Sequence, residues 1–347
     1  LNSHNKFAAA AAAPIILNIL LICCLIFINK AGDISVYYLS YTVSIAGFVQ
    51  FIFLIFFVRK YYIPKISLDF KIKNNIKLFF KKLLPSIFSS GVTQINILIG
   101  TIIASFQASA VSYLYYADRI YQINLAVAGI AIGTVILPNL SKYVQKKNFI
   151  KIDEIQNKSL ELSLFLSLPA TFALLIASKE ITSSLFGYGS FGLDSVENSA
   201  KALFYFALGL PAFSLIKIFS SFLFARNDTN TPFKISLLSV ILNILISVIF
   251  FKQIGFIIIP IATTISSWFN GIALMMIVLN RSYFKFINTF FEKLWRIIFS
   301  NIISLGLFYF LVINFKNYLS YENEYKFLWI IFLVLLTFIV YIFVSIN

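Results

Sequence analysis

The sequence predicts an all-α protein that crosses a membrane many times. Of its 347 residues, 60% are hydrophobic and only 12% carry a charge. The apolar residues lie in long stretches, each near or above the roughly 20 residues that a helix needs to cross a bilayer. Open β-strands would leave their backbone groups unsatisfied in lipid, so these stretches are predicted to be helices.

Ten membrane spans can be placed along the chain. They cover residues 8–29, 35–58, 83–107, 109–141, 158–179, 198–224, 234–251, 255–280, 294–313 and 327–346. We divide the chain into two spans, a basic linker, six spans and two final spans, over residues 1–58, 59–82, 83–280 and 281–347. The linker alternates lysines with apolar residues, which is typical of an amphipathic element lying on an anionic leaflet. A solvated basic loop fits the same pattern equally well.

The positions of the basic residues predict the orientation of the spans. If the amino end is cytoplasmic, 20 of the 28 Lys and Arg residues fall in cytoplasmic segments and 6 fall on the outer side. The two that remain, Arg119 and Lys217, lie inside spans. Because cytoplasmic loops are enriched in Lys and Arg, both ends of this chain are predicted to be cytoplasmic. Membrane topology thus accounts for the net charge of +15, and nucleic acid is not predicted as a partner.

Two adjacent charged residues, Asp118 and Arg119, lie within the fourth predicted span. An ionisable group at such depth costs roughly 2.5 kcal/mol or more, and it usually faces a bundle interior or a wet cavity. The arginine fork binds a carboxylate or phosphate through two parallel hydrogen bonds. Arg119 is therefore the first candidate for binding an anionic substrate, with Asp118 as its counter-charge or a packing partner. The alternative is a structural Arg119 that snorkels or forms a buried pair.

Other polar residues within spans form a second group of candidates. Lys217 either binds substrate or snorkels toward the cytoplasm. Amides such as Gln94, Asn96 and Gln122 can contact substrate, although most amides of this kind bond neighbouring helices. The chain contains no grouped acid and base residues, and its one histidine, His4, lies outside the spans. We therefore predict no enzymatic activity, no metal site and no cofactor.

Several ordered motifs resemble those of one transporter family. The stretch YYADRIYQINLAVAGIAIGTVILPNLSKY is similar to a signature of the MurJ (MviN) lipid II flippases, members of the MATE-like exporter superfamily. Further similarities lie in LNSHNKFAAAAAAPIILN, in LFGYGSFGLDS and in LPAFSLIKIFSSFLFARNDTNTPFKIS. The matches run the length of the chain.

The resemblance implies a MATE-like helical bundle of fourteen helices, of which this chain holds ten and lacks the first four. It implies that lipid II, an undecaprenyl-pyrophosphate-linked peptidoglycan precursor, moves from the inner to the outer leaflet by alternating access. Arg119 falls on the family's cavity arginine, where it would engage the pyrophosphate, and Lys217 falls on a basic position of the tenth helix. The last two helices would form a groove for the polyprenyl tail.

The resemblance also implies a place and partners. The protein is expected in the bacterial inner membrane, where it contacts membrane lipids. Cell-wall synthesis machinery is a further candidate partner. Three departures from the family pattern concern the mechanism. Gln122 stands where some members have Glu, and Asn124 and Ala126 replace a Pro and a Gly.

Other functions fit parts of the pattern. A flippase for another polyprenyl-linked oligosaccharide would use the same arginine and the same apolar groove. A membrane scaffold or an inactive remnant would need neither. A MATE-like drug exporter fits less well, because a cavity arginine repels cationic drugs.

Overall fold

The computed structural model describes residues 7–28, 35–61, 94–126 and 132–346, and within them all regular structure is helical, as predicted. In chain order, the helices are α1 (Phe7–Ile28), α2 (Ser35–Val58), α3 (Gln94–Ala104), α4 (Ala110–Leu125), α5 (Ile132–Gln145), α6 (Phe149–Phe186), α7 (Leu193–Ala207), α8 (Leu210–Phe224), α9 (Asn230–Ile254), α10 (Ile258–Asn280), α11 (Asn288–Asn314) and α12 (Lys326–Ile346). A 3-10 turn, Gly255–Ile257, joins α9 to α10.

The chain separates into two compact units, Leu1–Lys77 and Leu78–Asn347. In the first unit, α1 packs against α2. The Thr42 hydroxyl donates to Cys24 Sγ at 3.0 Å and joins the two helices. Most of the linker predicted at 59–82 lies outside the described residues, so its amphipathic character and the four-part division of the chain stay predictions.

The length and composition of the helices suit a membrane. Five helical stretches of the described chain are long and apolar enough to cross it, or six if α7 and α8 form one bent span. One of these five stretches, Asn230–Asn280, contains both α9 and α10. The fourth predicted span, 109–141, corresponds to α4 and α5, which lie on either side of residues outside the description. The total of ten spans stays a prediction.

The span predicted at 198–224 is bent in the structure. Helices α7 and α8 meet at an angle of 42°. Pro211 in the first turn of α8 has no N–H, and its ring would clash with the carbonyl four residues earlier in a continuous helix. Two α10 side chains bond carbonyls near the break: Thr264 donates to Tyr205 at 2.6 Å and Trp268 to Leu208 at 2.9 Å. The bend is therefore hydrogen-bonded within the bundle, as a break at membrane depth requires.

Helices α9 and α10 form an antiparallel hairpin. Asn243 donates to Thr263 at 3.2 Å, and Asn270 donates to Ser236 at 3.4 Å, so residues later in α10 meet residues earlier in α9. The 3-10 turn between them begins at Gly255, whose φ of 73° suits a residue without Cβ.

Helix α6 packs against α11 and α12, which are the last two helices of the chain. Asn157 of α6 donates to the Lys285 carbonyl at 2.8 Å and accepts from the Ile287 N–H at 3.2 Å, just before α11 begins. Tyr341 of α12 donates to the Phe165 carbonyl at 2.9 Å. These bonds set α11 and α12 against one side of α6.

In the unit Leu78–Asn347, several small polar side chains are buried among the apolar core residues, and many large apolar side chains are exposed. Buried polar residues include Ser163, Ser167, Ser267, Asn270, Ser300 and Asn301. Large apolar side chains on the outer surfaces of α9 and α11 are exposed, among them Leu238, Leu245, Val248, Phe299, Ile302 and Phe310. Such an arrangement is stable in hydrocarbon, where small and polar residues mediate contacts between helices.

Candidate functional site

One face of α4 is fixed in the bundle core. Ala117 and Tyr121 are buried on this face. The Tyr121 ring lies 5.5 Å from the Phe206 ring and 5.4 Å from the Phe213 ring, so it contacts both α7 and α8. These contacts set the rotation of α4 about its axis.

Arg119 lies on the opposite face of α4 and is exposed. It is two residues from Tyr121, or about 200° around a helix. Its guanidinium carbon lies 4.5 Å from the centroid of the Tyr115 ring, one turn earlier. The face of the Tyr115 ring attracts the positive charge of the guanidinium. This contact does not use the N–H groups of Arg119 as hydrogen-bond donors to an oxygen. Among the described residues, no ion pair engages Arg119, so its fork is available to an anion.

Asp118 bonds with Gln122 and not with its neighbour Arg119. The Gln122 side-chain amide donates to Asp118 Oδ2 across one turn of α4. Neighbouring residues on a helix point about 100° apart, whereas residues four apart share a face. The two side chains that flank Arg119 on α4 therefore bond each other.

The remaining predicted site residues lie apart from this group. Lys217 is exposed on α8, one turn after Phe213. Gln94 is exposed and Asn96 is half-buried, both in the first turn of α3 as described. Of the six predicted site residues, the hydrogen bonds join only Asp118 and Gln122. The roles of all six in binding substrate stay predictions.

An apolar groove is lined in part by α4, the helix that carries Arg119, although Arg119 itself is not one of the lining residues. Its volume is about 540 Å³, and four helices enclose it: α4, α6, α11 and α12. The lining is almost entirely apolar, with Pro169 from α6, Phe308 from α11 and Phe338 from α12 as typical members. Such a lining suits a hydrocarbon ligand.

The groove and Arg119 share a helix. Ile120 and Ile123 of α4 line the groove, and they are the next residue and the residue one turn after Arg119. Positions 119 and 123 differ by only about 40° around the helix, so they share a face. A cationic fork thus adjoins an apolar groove. This arrangement suits an amphipathic ligand with an anionic head and a hydrocarbon tail.

The few polar residues in the groove lie mainly toward one end. Asn301, Ser304, Thr337 and Tyr341 line it from α11 and α12, and Asn124 lines it from α4. The sequence analysis did not select any of them as a site residue. The sequence does show that each of them is a polar residue within a predicted span. The sequence of a single span does not show that these residues from three helices line the same groove.

Within the part of the chain that the structure describes, no group of three or more His, Cys, Asp or Glu side chains is placed to hold a metal ion.

Comparisons with known proteins point to one family. The family described as "Lipid II flippase MurJ" matches residues 1–335. A probable lipid II flippase MurJ of Rickettsia prowazekii is 38% identical over 277 residues, covering 78% of this chain and 53% of the relative. A second, from Rhizobium meliloti, is 39% identical over 289 residues, covering 82% of this chain and 54% of the relative. The chain spans about half the length of the curated relatives it matches.

Solved structures show the same fold. A structure described as lipid II flippase MurJ in an inward closed conformation aligns with a TM-score of 0.80 at 24% identity, covering 99% of this chain and 68% of that one. An outward-facing multidrug resistance MATE family transporter of the MOP superfamily aligns with a TM-score of 0.51 at 17% identity, covering 76% of this chain and 62% of that one. The fold is therefore that of a MATE-like transporter, as predicted.

Proposed function

Because the chain belongs to the MurJ family of lipid II flippases, we propose that it takes part in moving lipid II from the inner to the outer leaflet by alternating access. Lipid II joins an undecaprenyl tail to the disaccharide-pentapeptide of peptidoglycan through a pyrophosphate. Such transport needs no covalent chemistry and no cofactor. It needs a site for the anion and a path for the tail.

The observation that carries this proposal is the position of Arg119 beside the groove. Ile120 and Ile123 bring the apolar lining to within one turn of the arginine. A pyrophosphate bound at the fork would place the first part of its tail next to the groove. One ligand can therefore occupy both places.

The other predicted residues have secondary roles in this proposal. The bond between Gln122 and Asp118 keeps the carboxylate occupied, which leaves the fork of Arg119 to the pyrophosphate. Lys217 supplies a second positive charge from α8. Gln94 and Asn96 supply hydrogen bonds to the sugar or peptide part of the substrate from α3.

The protein is a multi-pass protein of the bacterial inner membrane, as its family and its apolar helices show. We propose that both ends of this chain are cytoplasmic, which the distribution of basic residues supports. Partners in this setting are lipid II, the surrounding membrane lipids and the enzymes that polymerise the precursor outside the membrane.

A second candidate function follows from the same geometry. Other polyprenyl-linked oligosaccharides share the pyrophosphate and the tail, and the arginine and the groove would bind these shared parts equally well. A non-transporting scaffold is a third candidate. A scaffold would not need the exposed arginine or the open groove.

The test is growth rescue in cells depleted of their own lipid II flippase. The complete gene product is expressed with wild-type sequence, with Arg119→Ala and with Arg119→Lys. We expect the wild type to rescue, the alanine variant to fail, and the lysine variant to rescue poorly, because a point charge lacks the bidentate fork. The matched control is Arg296→Ala, which removes an exposed arginine from α11, away from the groove lining.

Membrane abundance is measured for each variant. If the wild type inserts well but fails to rescue, lipid II is not the substrate, and another polyprenyl-linked glycan or a scaffold role takes its place. If Arg119→Ala rescues as well as the wild type, the arginine is structural.

A further inference from the structure

We propose that Tyr115 is a positioning residue for Arg119: its ring takes the place of a counter-ion and holds the guanidinium in one orientation, ready for the anion of the substrate. This inference rests on the proposed function, in which Arg119 binds a pyrophosphate. It adds to that site a residue that acts on the arginine and need not touch the substrate itself.

Arg119 carries a positive charge that no carboxylate neutralises directly. It lies within a predicted span, where an unbalanced charge is costly. The adjacent carboxylate, Asp118, accepts from Gln122. Among the described residues, no acidic side chain forms an ion pair with the guanidinium. The contact that the structure gives to the guanidinium is the face of the Tyr115 ring, 4.5 Å from the ring centroid.

A ring can balance this charge without blocking the site. A carboxylate beside Arg119 would accept from the N–H groups of the fork and would compete with a pyrophosphate for them. The face of an aromatic ring attracts a cation through its quadrupole at distances up to roughly 6 Å, and it accepts no such bond. Tyr115 therefore lowers the energy of the empty site and leaves the donors of the fork to the anion.

The ring also restricts the arginine side chain. Tyr115 and Arg119 are four residues apart, so their side chains share a face of α4. An arginine side chain has many rotamers, and ordering such a side chain opposes binding. A guanidinium that already lies on a ring loses less freedom when the anion arrives. We therefore expect Tyr115 to increase the affinity of Arg119 for a phosphate group.

The Tyr115 ring is itself held in place. The ring of Tyr116 meets it edge-on, with the centroids 6.0 Å apart and the planes at 83°. Tyr116 in turn lies 4.8 Å from the Phe186 ring and 4.7 Å from the Phe191 ring. Phe186 is the last residue of α6, and Phe191 lies in the loop before α7. The orientation of Arg119 is thus supported by rings that rest on a different part of the bundle.

Substitutions at Tyr115 can separate a ring contact from simple packing. Its side chain is 53% exposed, so a change here leaves no cavity in the core. The attraction for a cation is strongest for Trp, and Tyr and Phe also provide it. Leucine is apolar but has no aromatic face. Affinity for an anion should therefore follow the ring and not the apolar character of the side chain.

The experiment measures binding of inorganic pyrophosphate to the complete protein in phosphatidylcholine nanodiscs, by calorimetry. We expect Tyr115→Phe and Tyr115→Trp to bind within about twofold of the wild type, and Tyr115→Leu to bind about tenfold more weakly. The matched control is Tyr309→Leu, which removes a tyrosine that is 58% exposed on α11. Its affinity should equal that of the wild type.

A double-mutant cycle shows whether Tyr115 acts through Arg119. Tyr115→Leu should cause no further loss of affinity in an Arg119→Gln background, and it should cause the full loss in a Lys217→Gln background. If Arg119→Gln leaves no measurable binding, the ring series decides alone. If melting shows that Tyr115→Leu is unfolded, Tyr115→Gln replaces it, since glutamine also lacks a ring.

Four results would overturn the proposal. They are a Tyr115→Leu affinity equal to that of the wild type, a Tyr115→Phe loss as large as that of Tyr115→Leu, a loss that persists without Arg119, and a wild type that does not bind pyrophosphate.

Failure of this proposal and failure of the proposed function are separable. Inorganic pyrophosphate carries neither the sugar nor the tail of lipid II, so its binding does not depend on the identity of the transported lipid. A ring series that holds, together with failed growth rescue by the wild type, would keep the role of Tyr115 and reject lipid II. Rescue by the wild type without a ring series would keep lipid II and reject the role of Tyr115.

Discussion

Lys326 shows how a charged residue can be buried in this protein while no acidic side chain of the described residues pairs with it. Removing an ammonium from water is costly unless its donors are satisfied. Here two backbone carbonyls accept from it, and two tyrosine rings present their faces to it. The lysine lies where α12 begins, so the same contacts that satisfy its charge also fix the position of that helix.

Arg119 and Asp118 show that neighbours in the sequence need not be partners. The arginine stacks on Tyr115 and the aspartate bonds Gln122, each across one helical turn. The sequence could identify the arginine, because a charge within an apolar span is unusual. That Arg119 does not pair with Asp118 depends on side-chain geometry, which only the structure shows.

Asp228 organises the loop between α8 and α9. Its Oδ1 accepts from the Thr231 N–H at 3.0 Å, in the manner of a helix cap, and its Oδ2 accepts from the Thr231 hydroxyl at 2.6 Å. Arg281, in the loop after α10, pairs with Oδ2 at 2.5 Å. Burial by itself would raise the pKa of Asp228, but the bonds from Thr231 and Arg281 outweigh it and hold the pKa below its ordinary value.

A pH dependence of stability follows from this lowered pKa. The carboxylate contributes its full stabilisation above the unfolded-state pKa of about 4, and the contribution is lost as pH falls through the folded pKa. At pH 7, Asp228→Asn should cost about 1 kcal/mol, through lost capping and pairing. The measurement is the melting temperature of both proteins in detergent at pH 7 and at pH 3, where the difference should shrink.

The control for Asp228 is Glu324→Gln, which removes the charge of an exposed acid in the loop before α12. It should leave the melting temperature at pH 7 almost unchanged. An equal loss of stability in Asp228→Asn at both pH values would mean that the carboxylate charge contributes nothing and that the residue acts through its shape alone.

At the scale of elements, α8 and α10 approach each other closely at Gly271. A Cβ at this position would lie 3.3 Å from the Ala212 carbonyl oxygen and 3.7 Å from side-chain carbons of Leu215 and Ile216. The backbone of α8 therefore passes directly over α10 at this point. Small residues allow such close approach between membrane helices.

Enlarging Gly271 should push these two helices apart. Gly271→Leu places a side chain where the α8 backbone lies, and overpacking of this kind typically costs about 1–3 kcal/mol. The measurement is the melting temperature in detergent, which should fall. Gly306→Leu on α11 is the matched control, because nothing lies within 4 Å of a Cβ there. If both variants melt at the wild-type temperature, the contact between α8 and α10 is looser than the structure indicates.

The bend between α7 and α8 is another feature at this scale. The sequence analysis predicted one span over 198–224, and Pro211 lies near its middle. A proline alone does not decide whether a helix kinks slightly or breaks. Here Thr264 and Trp268 of α10 bond carbonyls beside the break, and a partner of this kind cannot be found from the α7–α8 sequence.

At the scale of the whole molecule, the basic residues predict which end of each helix faces the cytoplasm. Lys146 follows α5 and should be cytoplasmic, whereas Lys201 in α7 should lie on the outer side; both are exposed. Single cysteines at these positions, with Cys23 and Cys24 replaced by alanine, report the orientation. In intact spheroplasts, a membrane-impermeant thiol reagent should label Lys201→Cys and should label Lys146→Cys only after permeabilisation.

The two cysteine variants are controls for each other. If the orientation holds, the reagent reaches Lys201→Cys from outside the cell and reaches Lys146→Cys only from the cytoplasmic side. The opposite labelling pattern would invert the proposed topology. It would also place the start of α12, at Lys326, toward the cytoplasm.

The sequence by itself determined the helical membrane class, the predicted orientation, the family and Arg119 as the first candidate. Each of these depends on local properties: the hydropathy of a stretch, the charge of a loop, an ordered motif or a charge within an apolar span. Such properties can be read one segment at a time, without knowledge of which helices are neighbours.

Only the tertiary structure decided where the groove lies and which helices line it. Tyr341 bonds Phe165, which is 176 residues away, and Lys326 bonds Gly187, which is 139 residues away. The four walls come from helices whose rotations depend on packing, as Tyr121 shows for α4 against Phe206 and Phe213. In lipid, an apolar residue can face either the bilayer or a groove at similar cost, so hydropathy does not distinguish the two. Packing between distant segments makes that choice.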